Sequence, residues 1–91
     1  MDQKYKLLTD ALLSIKNKEE CNAFLEDICT IKEIDDLANR IYIAVLLSSG
    51  KTFLDVEEET GASSATISRV NRCLKYGEGY RRIIERIIEN K

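Results

Sequence analysis

The sequence predicts an all-α fold, and three observations carry that expectation. Apolar residues recur at helical spacing along the chain, cap-forming residues separate the successive stretches, and strand signals are nearly absent. There is no Asn-Gly or Asp-Gly hairpin turn and no long alternation of apolar and polar positions. Ninety-one residues make room for one domain or for one protomer of a small oligomer, so 1–91 is expected to form a single helical domain.

Six helices follow in order. The first spans about 4–15, with Leu7, Leu8, Ala11, Leu12 and Ile15 on one stripe. Asn17 and Glu20 have the form of a cap and its return, opening a second helix to about 29 with Phe24, Leu25 and Ile28 facing inward. Thr30-Ile31-Lys32-Glu33 has the capping-box form and opens a third helix carrying Ile34, Leu37, Ala38, Ile41, Ala44, Val45 and Leu46. Ser48-Ser49-Gly50 ends it, with Gly50 suited to a left-handed stop. Thr52 caps a short fourth helix to about 60, broken by Gly61. Ser63 or Ser64 caps a fifth, about 64–75, and Gly77 and Gly79 break the chain again. The last helix, about 80–89, carries Ile83, Ile84, Ile87 and Ile88 on one apolar stripe, opposite Arg81, Arg82, Glu85, Arg86 and Glu89.

Composition narrows the function classes. Apolar residues are 44% and charged residues 33%, mixed in sign, which suits a folded chain rather than a disordered one. A chain this short buries only about 60–65% of its unfolded surface. The wide apolar stripes of the first three helices exceed what such a monomer hides, so a homodimer is expected. Histidine and tryptophan are absent, which excludes His-based acid–base chemistry, the usual catalytic triads and most zinc sites. Cys21, Cys29 and Cys73 are odd in number and widely spaced, and read as reduced cytosolic thiols rather than a disulfide framework. No apolar run approaches the roughly 18 residues that span a bilayer, and MDQKYK has no signal-peptide core. A cytoplasmic protein without membrane, metal or cofactor is expected.

The net charge of −2 hides an asymmetry. Residues 1–63 hold seven Lys/Arg against thirteen Asp/Glu, a balance of −6, whereas 64–91 hold seven against three, a balance of +4. A basic terminal third on an acidic chain suits either a solvated helix face or a surface for polyanions.

The segment from Thr52 to Leu74, TFLDVEEETGASSATISRVNRCL, decides between them. Two helices joined by a short Gly-containing turn form a helix-turn-helix, here about 52–75. The motif needs an apolar residue inside its first helix, a Gly where the backbone turns with positive φ, and a branched apolar anchor on the second helix. Val56, Gly61 and Ile67 stand at the required spacing, and Val70 and Leu74 continue the buried stripe. The opposite face carries Ser63, Ser64, Ala65, Thr66, Ser68, Arg69 and Arg72. Small residues at the helix start admit it to the major groove, the helix N-terminus favours anions, and an Arg can donate two hydrogen bonds to guanine. Double-stranded DNA is the expected partner. The acidic run Glu57-Glu58-Glu59 works against it, because these carboxylates repel phosphates unless they pair with Arg72 or Lys51 or face away.

ETGASSATISRVNRCLKYG and ICTIKEIDDLANRIYIAVLLSSGKT closely resemble the corresponding parts of the tryptophan repressor superfamily, and within it the YerC/YecD group. The core G-A-x-x-A-T-I-[ST]-R is the specific part. The resemblance covers about 18–80 and implies an intertwined all-helical homodimer, a transcriptional regulator whose helix-turn-helix units read successive major grooves. It places the start of the recognition helix on Ser63, Ser64, Ala65, Thr66, Ser68 and Arg69, and a phosphate-binding lysine on Lys75. It also implies a co-repressor pocket, in which Arg40, Arg69 and Thr30 match the two arginines and the threonine. Two positions depart: Val70 stands where the repressor has Gly, and Cys73 where it has Ser. Valine occupies space that an indole ring needs, and a thiol is a poorer hydrogen-bond partner. Tryptophan is therefore not expected as effector, although another small anion against Arg40 and Arg69 fits.

Two other function classes stay open on the residues alone. The motif can serve as an adaptor for protein or RNA, which the acidic fourth helix favours; its binding would lack the steep salt dependence of a DNA complex. A small all-helical enzyme of chorismate mutase type needs no histidine but needs several cations converging from its long helices. Here the third helix offers only Lys32 and Arg40, so no catalytic residue is expected.

Overall fold

The computed structural model describes residues 2–89, which form six α-helices and no strand. These are α1 (Asp2–Ser14), α2 (Lys18–Ile28), α3 (Ile31–Ser48), α4 (Phe53–Thr60), α5 (Ser64–Tyr76) and α6 (Gly79–Glu89). Each boundary falls within two residues of the sequence expectation, because the caps that set it are local chemistry. The Asn17 side chain accepts from the Glu20 amide at 2.9 Å, and the Glu20 carboxylate accepts from the Lys16 amide at 3.0 Å. The return thus reaches one residue beyond the cap itself. At the start of α3 the box is reciprocal: Thr30 Oγ1 accepts from the Glu33 amide, and Glu33 Oε1 accepts from the Thr30 amide at 2.8 Å. Gly50, at φ 96°, makes the left-handed stop after α3. No helix among the described residues is long and apolar enough to cross a membrane.

The chain divides into two compact units, 1–34 and 35–91. In the first, α1 and α2 contain no buried residue. Leu7, Leu8, Leu12 and Leu13 of α1 are exposed, Phe24 and Leu25 of α2 are half-buried, and Ile28, expected inward, is half exposed. Their apolar stripes have the helical period that the sequence predicts; the leucines of α1 stay exposed, while Phe24 and Leu25 of α2 are partly covered.

The second unit holds the core. Ile43, Ala44 and Leu46 of α3 meet Val56 of α4, Ile67 and Val70 of α5, and Ile84 of α6. Val45, Leu47, Ala62, Leu74 and Tyr80 pack around them. α5 is the central element and packs against both α4 and α6. Of the isoleucine stripe on α6 only Ile84 is buried; Ile83, Ile87 and Ile88 stay about half exposed. The joint between α5 and α6 is closed by backbone. The Gly77 amide donates to Cys73 O, the Arg81 guanidinium donates twice to Gly77 O, and a Cβ at Gly77 would stand 2.9 Å from Cys73 O.

Candidate nucleic-acid interface

Helices α4 and α5 form the predicted helix-turn-helix. The sequence makes this unit locally. Thr52 caps α4 by accepting from the Asp55 amide at 3.1 Å, and Asp55 returns the bond by accepting from the Thr52 amide at 3.2 Å. That hydrogen bond, reinforced by the Thr52 side chain and by the nearby Lys51 charge, holds the Asp55 carboxyl below its ordinary range. After Thr60 the chain turns at Gly61, whose φ of 69° is left-handed and suits glycine because it lacks a Cβ. The turn is braced on both sides. Thr60 Oγ1 donates to Val56 O at 2.7 Å and accepts from the Ala62 amide at 3.1 Å. Val56 and Ile67 are fully buried and clamp the two helices together.

Ser63 caps α5: its hydroxyl accepts from the Thr66 amide at 3.2 Å and lies 3.1 Å from the Thr66 hydroxyl, to which it donates. Two of the four hydroxyls expected as DNA contacts, those of Ser63 and Thr66, are therefore tied into the helix start, and Thr66 is half-buried. Ser64, Ala65, Ser68, Arg69, Arg72 and Lys75 are all exposed. At about 100° per residue they occupy one arc of roughly 140°, opposite Ile67 and Val70. α5 carries no acidic residue in its first turn and Lys75 in its last. This face is polar, small at its start and cationic toward its end.

The residues matched to an effector pocket are placed differently. Thr30 lies in the first unit, where its hydroxyl serves as the cap of α3. Arg40 and Arg69 are exposed, and Val70, at 2% exposure, belongs to the core. Cys73 lines an open hollow of about 700 Å³ together with Ile41, Arg72, Tyr76, Tyr80 and Ile83. Arg40, Arg69 and Val70 are not among the residues that line it. No group of three potential metal ligands occurs among the described residues.

Three features escape the sequence reading. The Asp55 half of the α4 capping box had a legible signal, Thr-x-x-Asp, that went unused. The Arg81 grip on Gly77 O had none. Nor did the hydrogen bond from Tyr42 of α3, whose hydroxyl donates to Glu59 Oε2 at 2.8 Å, seventeen residues away. That bond, with the Glu59 charge behind it, raises the Tyr42 pKa. It also resolves part of the acidic run, because Glu59 is held to α3 and is directed at neither Arg72 nor Lys51.

The family model for the Trp repressor protein matches residues 3–88. YerC of Bacillus subtilis (strain 168), an uncharacterised protein, is 48% identical over 85 residues, covering 92% of this chain and 82% of YerC. Two crystal structures are similar along nearly the whole length. A candidate Trp repressor of Staphylococcus aureus matches with a TM-score of 0.89 at 41% identity, covering 96% of this chain and 88% of its own. A TrpR-like protein of Eubacterium eligens ATCC 27750 matches with a TM-score of 0.87 at 50% identity, covering 93% and 89%. With its six helices, its Gly61 turn and the polar face of α5, this chain belongs to the Trp repressor protein family.

Proposed function

We propose that the chain is a sequence-specific transcriptional regulator, a repressor by its family, that binds double-stranded DNA as a homodimer through α5. One observation carries this reading: an unbroken exposed face of Ser64, Ala65, Ser68, Arg69, Arg72 and Lys75, on a helix fixed from behind by fully buried Ile67. Lys75 and Arg72 meet phosphates, which position the protein. Ser64, Ala65 and Arg69 face base edges, directly or through water, with Ser68 beside them. Ser63 and Thr66 act by presenting the N-terminal amides of α5. Two copies of α5, about 34 Å apart across a dimer axis, read a near-palindromic site with half-sites one helical turn apart. The test is a genomic pull-down with sequencing of the bound DNA, followed by titration of the recovered site at several salt concentrations. A recovered palindrome with steeply salt-dependent binding supports the reading; no enriched site and no salt-dependent duplex binding overturns it.

The dimer reading rests on the uncovered apolar faces of α1, α2 and α6, which a second copy would bury so that 1–91 acts as one domain. Sedimentation at micromolar concentration should give a dimer, and a clean monomer would sink this part. The protein acts in the cytoplasm without catalysis, metal or cofactor of its own. A small anionic effector would be met by the exposed Arg40 and Arg69 guanidinium groups. Tryptophan is not that effector, since Val70 and Cys73 replace the Gly and Ser that resemblance would ask for. Calorimetry should detect no micromolar tryptophan binding.

A further inference from the structure

We propose that Glu57 and Glu58 are an electrostatic brake that weakens DNA binding uniformly and leaves sequence reading to α5; this rests on the DNA-binding reading above. In helix-turn-helix complexes the second helix enters the major groove while the first crosses the DNA backbone. α4 is poorly equipped to receive phosphates. It contains no Lys or Arg. Two of the amides at its start, those of Thr52 and Asp55, are engaged by the Thr52–Asp55 box, and the Asp55 carboxylate puts a negative charge at the positive end of the helix. Of the three glutamates that follow, Glu59 is held by Tyr42. Glu57 is half-buried and Glu58 exposed, and neither forms an ion pair with a cation among the described residues. Across the Gly61 turn the character reverses, with no carboxylate at the Ser63 cap and exposed Arg69, Arg72 and Lys75.

The boundary between repulsive and attractive charge thus falls at the turn of the motif. A phosphate beside α4 meets two uncompensated carboxylates, and their effect takes no account of which bases lie below. Like charges at 5–10 Å in water, screened over a length of about 8–10 Å, change a binding constant by roughly 1.2- to 2-fold per carboxylate–phosphate pair, which over the several phosphates along a backbone amounts to a few-fold. The brake therefore scales cognate and random DNA by the same factor.

The experiment compares the full-length chain with its Glu57→Gln/Glu58→Gln double variant, binding a short random-sequence duplex and the pulled-down site over a range of salt. Glutamine keeps the size and helix propensity of glutamate, and no hydrogen bond of the fold is lost. The expected result is about three- to tenfold tighter binding of both duplexes at physiological salt, an unchanged ratio between them, and a salt slope steeper by at most about two units. A charge-matched control, Glu26→Gln/Asp27→Asn on exposed positions of α2, should change neither affinity nor slope. Unchanged binding by the α4 variant overturns the brake. So does an equal gain by the control, which would reduce the effect to net charge. Failure of the unsubstituted chain to bind any duplex removes the DNA reading and the brake together, and is seen before any variant is made.

Discussion

Helices α4 and α5 are joined by three residues and share one core, yet they present opposite surfaces to solvent. α4 carries Asp55, Glu57, Glu58 and Glu59 and no cation, and its N-terminus is closed by the Thr52 hydroxyl together with its own Asp55 carboxylate. α5 carries Arg69, Arg72 and Lys75 and no acid, and its N-terminus is closed by a serine hydroxyl. Core packing constrains only the inner stripe of a short helix, which leaves the outer stripe free to take any charge the function selects. A shared fold therefore says little about a shared role for the two helices. The arrangement makes α5 the reading element and α4 its support.

The largest effect should come from the residue both helices lean on. Ile67→Ala removes a fully buried side chain and should cost about 2–5 kcal/mol, measured as a shift of the denaturant midpoint. A loss of well under 1 kcal/mol would mean that the two helices do not depend on a common core. Next come the outward faces. Arg69→Ala should cost about 1–3 kcal/mol on the cognate site and little on random DNA, whereas Lys75→Ala should weaken both alike and lower the salt slope by roughly one unit. Equal losses on both duplexes for both variants would remove Arg69 as a reader and make α5 a mere electrostatic contact.

The turn should respond less. Gly61→Ala forces a Cβ into the left-handed region and should cost about 1–2 kcal/mol, with nothing within 4 Å to clash. An unchanged thermal midpoint would show that the turn relaxes out of its φ of 69°. The smallest effects belong to the caps. Thr52→Ala and Ser63→Ala should each cost about 1 kcal/mol, but only Ser63→Ala should also weaken DNA binding. The caps differ further in acid. The Asp55 carboxyl is depressed in the folded chain, so its contribution is present above the ordinary carboxylate range and is lost as the pH falls through its lowered folded value. Asp55→Asn should flatten that acid-side loss of stability. The same pH titration of a Ser63 variant should follow the unsubstituted chain.

Most of the helix boundaries were legible because caps are built from residues three apart. Asn17 with Glu20, Thr30 with Glu33, and Thr52 before α4 announce themselves in one dimension. The motif spacing of Val56, Gly61 and Ile67 was legible for the same reason, and so was the outward set on α5, since both follow from about 100° per residue. Thr30 shows where such reading runs out. As a helix cap and as a match to a pocket residue it looks the same in sequence, and the structure gives its hydroxyl to the Glu33 amide. Val70 is a second case: one position before Asn71 and three after Ile67, it reads equally as pocket wall or core, and packing puts it in the core.

By itself the sequence determined the six helices, their caps, the left-handed turn at Gly61 and the charge reversal between α4 and α5, all of which depend on residues within a few positions of one another. Only the tertiary structure decided which apolar stripes are covered and which long-range bonds form. It buried Ile43, Ile67 and Ile84, left the leucines of α1 exposed, and brought Tyr42 to Glu59. The physical reason is that periodicity names the face a helix wants to hide, whereas what hides it depends on partners distant in the chain.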